Sequence, residues 1–101
     1  MKSTLLFGSA LLLALSAPSL LAGDAAAGKA KSVTCAACHG AEGISPMDLW
    51  PNLAGQKKGY LIKQMKAFRD GTRVEPSMSP MAKPLTDADI ENLAEYYSTL
   101  K

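Results

Sequence analysis

Histidine and cysteine are scarce in this chain of 101 residues, which has one histidine, His39, and two cysteines, Cys35 and Cys38. A single histidine excludes coordination of one metal by two histidines of the same chain. With no further cysteine or histidine, the set also falls short of the four protein ligands that a structural zinc site normally takes. Charge of one sign is not in excess either: 11 basic side chains stand against 9 acidic ones, so the total gives no sign of a nucleic-acid or acidic-membrane partner. No convincing strand pattern is present, which removes the βαβ frame that a thioredoxin-like use of the cysteine pair would need. Long hydrophobic runs are missing as well. The best one, Leu5 to Leu15, is interrupted by Gly8 and Ser9 and falls short of the roughly 20 residues that span a bilayer.

What that run does fit is an export signal. Met1 and Lys2 form a short positive start, Leu5 to Leu15 the apolar centre, and Ala17 to Ala22 a cleavage region ending on a small residue. Residues 1–22 are therefore expected to be a signal peptide and 23–101 the folded domain, with an uncleaved anchor as the alternative. Cleavage would leave 79 residues, a size at which an apolar core alone is thin and a disulfide, metal or cofactor commonly assists.

Within that remainder the expected architecture is all-α. Asp24 can cap a first helix that runs through Ala25, Ala26, Ala27 and Ala30 toward the cysteines. Residues 40–56 hold Gly43, Pro46, Pro51 and Gly55 and read as a loop. Ile44, Leu49, Trp50 and Leu53 make that loop apolar enough to require packing. Leu61, Met65 and Phe68 share a stripe of a second helix over 60–70, which Gly71 terminates. Pro76, Pro80 and Pro84 exclude a regular helix from 71–84. A last helix starts near Thr86, where Asp89 stands in the capping-box position, and buries Ile90, Leu93, Ala94, Tyr97 and Leu100. Lys57, Lys58, Lys63, Lys66, Arg69 and Arg73 make the middle basic, whereas Asp87, Asp89, Glu91 and Glu95 make the C-terminal segment acidic. Such a dipolar surface could steer a partner, and it could equally be the solvated outer faces of helices.

The segment that carries chemistry is Cys35-Ala36-Ala37-Cys38-His39. Its spacing lets two thiols add across the vinyl groups of one haem while the adjacent imidazole reaches the iron. A bare disulfide would leave His39 and the apolar loop unexplained. The second axial position then falls to methionine, lysine, water or nothing. Of the methionines past the leader, Met65 belongs to a helical core stripe and Met47 is too near His39 to reach the opposite face. Met78 and Met81 remain, both in the proline-stiffened stretch, one as ligand and the other as packing.

Together the Cys35 to Gly40 motif, Gly23-Asp24-Ala25-Ala26-Ala27-Gly28, Pro51-Asn52-Leu53-Ala54-Gly55-Gln56, Tyr60 to Met65 and Met78 through Tyr97 resemble a class I c-type cytochrome of the small bacterial c-553 kind. They equally resemble one half of the dihaem periplasmic cytochromes. The resemblance implies three or more helices wrapped around one covalently bound haem c. It pairs Met78 with Leu85 and so favours Met78, with Met81 second, opposite His39 as axial ligand. It implies that the Pro51 carbonyl accepts a hydrogen bond from His39, and that Gly28 packs closely against Tyr96. Lys31 stands where longer cytochromes carry an aromatic residue. Trp50, Gln56, Tyr60 and Arg69 are candidates for the haem propionates, and Lys57, Lys58 and Lys83 for the rim of the haem edge.

The function so implied is one-electron carriage between redox proteins in the periplasm, by transient docking, as a monomer or weak dimer. No catalysis, nucleic acid or stable membrane span is expected. The alternatives are a five-coordinate haem gas sensor or weak peroxidase, and a haem subunit of a larger redox enzyme.

Overall fold

A computed structural model describes residues 23–101, so the expected signal peptide lies outside the described residues. Five α-helices and one short 3₁₀ turn follow one another, and no strand occurs among the described residues. Helix α1 spans Ala25–Lys31. Its start is set by Asp24, whose carboxylate accepts from the amides of Ala26 at 2.9 Å and Ala27 at 3.2 Å, two of the donors that a helix leaves unpaired at its N-terminus. The 3₁₀ turn Ser32–Thr34 then leads into α2, Ala36–His39. Helix α3 spans Lys58–Asp70 and ends on Gly71 in the left-handed region, as expected from the sequence.

Helix α4, Met78–Ala82, corrects the expectation of an irregular stretch between Gly71 and Pro84. Pro80 is its third residue, still within the first turn, where the missing proline amide has no partner to lose. Ahead of it, the Glu75 carboxylate accepts from the amides of Ser77 at 2.6 Å and Met78 at 2.7 Å. That acidic residue supplies the cap that Ser77 does not. Helix α5 spans Asp87–Thr99 and opens on the anticipated box: Thr86 Oγ1 accepts from the Asp89 amide, and Asp89 Oδ2 from the Thr86 amide, both at 3.0 Å.

The core gathers on α5, whose Leu93, Ala94, Tyr96 and Tyr97 pack with Leu61 of α3, supported by Leu53, Ile62, Met65 and Leu85. Ile90 and Leu93 are its largest fully enclosed side chains. Helix α1 crosses α5 at Gly28, where a Cβ would stand 2.0 Å from the Asn92 carbonyl oxygen and 2.8 Å from Cβ of Tyr96. Only glycine admits this approach, and the close packing on Tyr96 agrees with the resemblance. The Asp24 amide adds a bond to Asn92 Oδ1 at 2.8 Å. Lys31, in place of the aromatic, reaches Asp89 at 3.5 Å, so a half-exposed ion pair closes this end of the crossing.

Charges expected to form opposite poles partly neutralise each other where α3 meets α5. Lys58 lies 2.9 Å from Glu95, and Arg69 pairs with Asp70 and with Asp87, each at 2.8 Å.

Candidate functional site

Cys35, Cys38 and His39 lie on one tight turn because α2 begins immediately after Cys35: the amides of Cys38 and His39 both approach the Cys35 carbonyl, at 3.3 and 3.0 Å. Both cysteines are half-buried, and no disulfide joins them. Desolvation pushes the Cys35 thiol above its ordinary range. The turn must end at once for His39 to face inward. Gly40 ends it at φ +89°, with its Cα so close to the Ile44 carbonyl that a Cβ would collide with it.

His39 is only 6% exposed. Its Nδ1 lies 2.8 Å from the Pro51 carbonyl oxygen. A carbonyl can only accept, so Nδ1 donates, and in the neutral ring that leaves Nε2 with the lone pair, the form in which imidazole binds a metal. The loop over 40–56 exists to present that carbonyl. The Gly43 carbonyl accepts from the amides of Leu53 at 2.8 Å and Ala54 at 3.0 Å, and Asn52 Oδ1 accepts from the Ser45 amide. The loop is thus closed on itself, with Pro51 held at its neck. Its apolar side chains divide: Leu53 packs on the core, but Leu49 is 85% exposed. The expectation that the whole loop packs is corrected for Ile44 and Leu49, both exposed, because the closing bonds are made by backbone and Asn52 and do not draw these two side chains in.

Helix α4 brings the second candidate segment to the same side of the molecule. A cleft of about 400 Å³ is lined by Ala30, Lys31, Val33 and Thr34, which precede Cys35, and by Pro80, Met81, Pro84 and Leu85, which follow Met78, so the two segments adjoin, although Cys35, Cys38, His39 and Met78 do not themselves line it. Met78 is half-buried and its backbone is held by Glu75, whereas Met81 is exposed and lines the cleft. Sequence reading missed Glu75. The signal was available in Glu75-Pro76-Ser77-Met78, an acidic side chain just ahead of a turn whose amides need acceptors. Of the residues considered for propionates, Arg69 is committed to Asp70, Asp87 and the Leu85 carbonyl. Gln56 donates to the Asn52 carbonyl at 3.2 Å.

Two thiols one helical turn apart and an adjacent, buried imidazole whose Nδ1 is committed to the Pro51 carbonyl fit a covalently attached haem. Cys35 and Cys38 would hold it through thioethers and His39 would ligate its iron. These features define a class I c-type cytochrome domain. The comparisons agree: the family model for cytochrome c matches residues 25–101, and the chain belongs to that family. It is 48% identical over 80 residues to cytochrome c4 of Pseudomonas aeruginosa, covering 79% of this chain and 40% of the relative. It is 49% identical over 81 residues to cytochrome c-554(548) of Halomonas halodenitrificans, covering 77% of this chain and 98% of the relative. Among solved structures, reduced recombinant cytochrome c4 from Pseudomonas stutzeri superposes with a TM-score of 0.76 at 42% identity, over 79% of this chain and 47% of that one. The chain thus spans under half the length of the cytochromes c4, as a likeness to one half of such proteins implies, and nearly all of the c-554(548) relative.

Proposed function

We propose that this chain carries single electrons between redox proteins of the periplasm, with His39 and Met78 as the two axial ligands of its haem iron. The bound haem supplies the one-electron couple. Everything else is asked of the chain. The observation that carries the reading is the buried His39 ring, fixed by Pro51 so that one nitrogen alone is left to donate. A ligand held in advance changes little between ferrous and ferric states, which keeps the reorganisation on electron transfer small. Met78 suits the opposite position because its backbone is already fixed by Glu75, so little chain entropy remains to be lost on ligation. With both positions filled, no iron site is open to a substrate, and carriage rather than catalysis follows. A soft thioether favours the ferrous state and a positive potential. Transfer requires only a small, wet, transient contact with each partner.

The test is the visible spectrum of the mature holoprotein, oxidised and reduced, before and after carbon monoxide. The expected result is a sharp c-type ferrous spectrum, a ferric sulfur-to-iron band and no response to carbon monoxide. A carbon monoxide shift would sink the six-coordinate carrier and favour the open-iron sensor or peroxidase.

A further inference from the structure

Tyr97 is 2% exposed, and its hydroxyl is the one buried side-chain polar atom without a hydrogen-bond partner among the described residues. A phenol in such a place is destabilising relative to a satisfied one, and phenylalanine would fill the same space without that cost. The ring itself is well used: it packs in the core and lies 5.0 Å from the Tyr96 ring, tilted by 52°. What needs explaining is the oxygen.

The Ser32 hydroxyl and the Cys35 sulfur are polar groups that act on it, neither in hydrogen-bonding geometry with it. Ser32 is itself buried and spends its proton on the Lys29 carbonyl at 2.7 Å. Cys35 packs against the same core cluster as Tyr97. Once Cys35 is a thioether its sulfur has no proton and can only accept, weakly, as a methionine sulfur does. Burial, the largest influence, pushes the Tyr97 hydroxyl well above its ordinary range, so it stays a donor at any working pH.

We propose that Tyr97 is a positioning residue whose hydroxyl donates to the Cys35 thioether sulfur, aiming the positive end of its dipole at the haem edge and favouring the reduced state. The direction follows from electrostatics: in a dry, low-dielectric site a fixed dipole with its positive end toward the redox centre stabilises the added electron. The effect is weak because the bond is weak. The inference rests on haem attachment at Cys35, which the c-type spectrum of each variant reports separately from its potential.

The experiment is a redox titration of the holoprotein, wild type against Tyr97→Phe and Ser32→Ala. Tyr97→Phe is expected to shift the ferrous-to-ferric ratio at a fixed poise about threefold toward ferric, which is about 28 mV for a one-electron couple, with the c-type spectrum intact. An unchanged potential in Tyr97→Phe would overturn the proposal. Ser32→Ala removes the competing acceptor and is expected to leave the ratio in place or shift it toward ferrous. A shift toward ferric in Ser32→Ala would mean that the hydroxyl works through Ser32 instead, and would also overturn it.

Discussion

Single side chains in this domain act mostly by holding backbone. Pro51 contributes a carbonyl to His39, and Glu75 contributes a carboxylate to the amides of Ser77 and Met78. Glu75→Ala is expected to lower stability by about 1 kcal/mol, the usual cost of losing a capping side chain, with Glu75→Gln recovering most of it because an acceptor oxygen remains. Denaturant titration of the two holoproteins checks this. The same loss should weaken the ferric sulfur-to-iron band if Met78 is the ligand. These roles differ in how visible they were. The Cys35 to His39 motif is legible because its chemistry depends on local spacing alone. The His39 to Pro51 bond spans a loop of no periodicity and was accessible only through resemblance to a family. Glu75 belongs to no hydrophobic pattern, and its one signal, an acidic side chain ahead of Pro76-Ser77-Met78, has meaning only where a helix such as α4 starts without a cap of its own.

At the level of elements, sequence reading located α3 and α5 because each combines an apolar stripe with a terminal signal, and α1 from its Asp24 cap and its alanines. It failed at α4, where three prolines outweighed a five-residue helix too short to show any period. The capping box of α5 makes a pH prediction. Asp89 is held below its ordinary 3.8, first by the Thr86 amide and further by the Thr86 hydroxyl and Lys31. A folded-state value below the unfolded one means that the ionised form stabilises the native state. That contribution is therefore complete above about pH 5 and is lost as pH falls through the lowered value. Asp89→Asn is expected to cost about 0.5 kcal/mol at neutral pH, a small figure because the site is partly solvated. The difference from wild type is expected to vanish in paired thermal melts once pH has fallen below the lowered value.

For the molecule as a whole, the described chain encloses few large side chains completely, and a domain of this size rarely stands on such a core alone. The double variant Cys35→Ala/Cys38→Ala, which cannot attach haem, is expected to lose its near-ultraviolet circular dichroism and its sharp melting transition. A cooperative melt in that variant would show that the protein part is sufficient by itself. The all-α class was legible from the absence of strand patterns. The mutual neutralisation of α3 and α5 was not, because charge order along a chain does not say which faces meet.

The crossing of α1 with α5 also sets an order of events. Asp24 and Asn92, which bond to each other, are 68 positions apart, and α1 has seven residues, too few to persist as an isolated helix. The first element therefore waits for the last. Until Asn92 and Tyr96 have been made and have arrived, nothing clasps the stretch before Cys35, and the two thiols stand open to whatever must reach them. Once the ends meet, the same contact shuts the region.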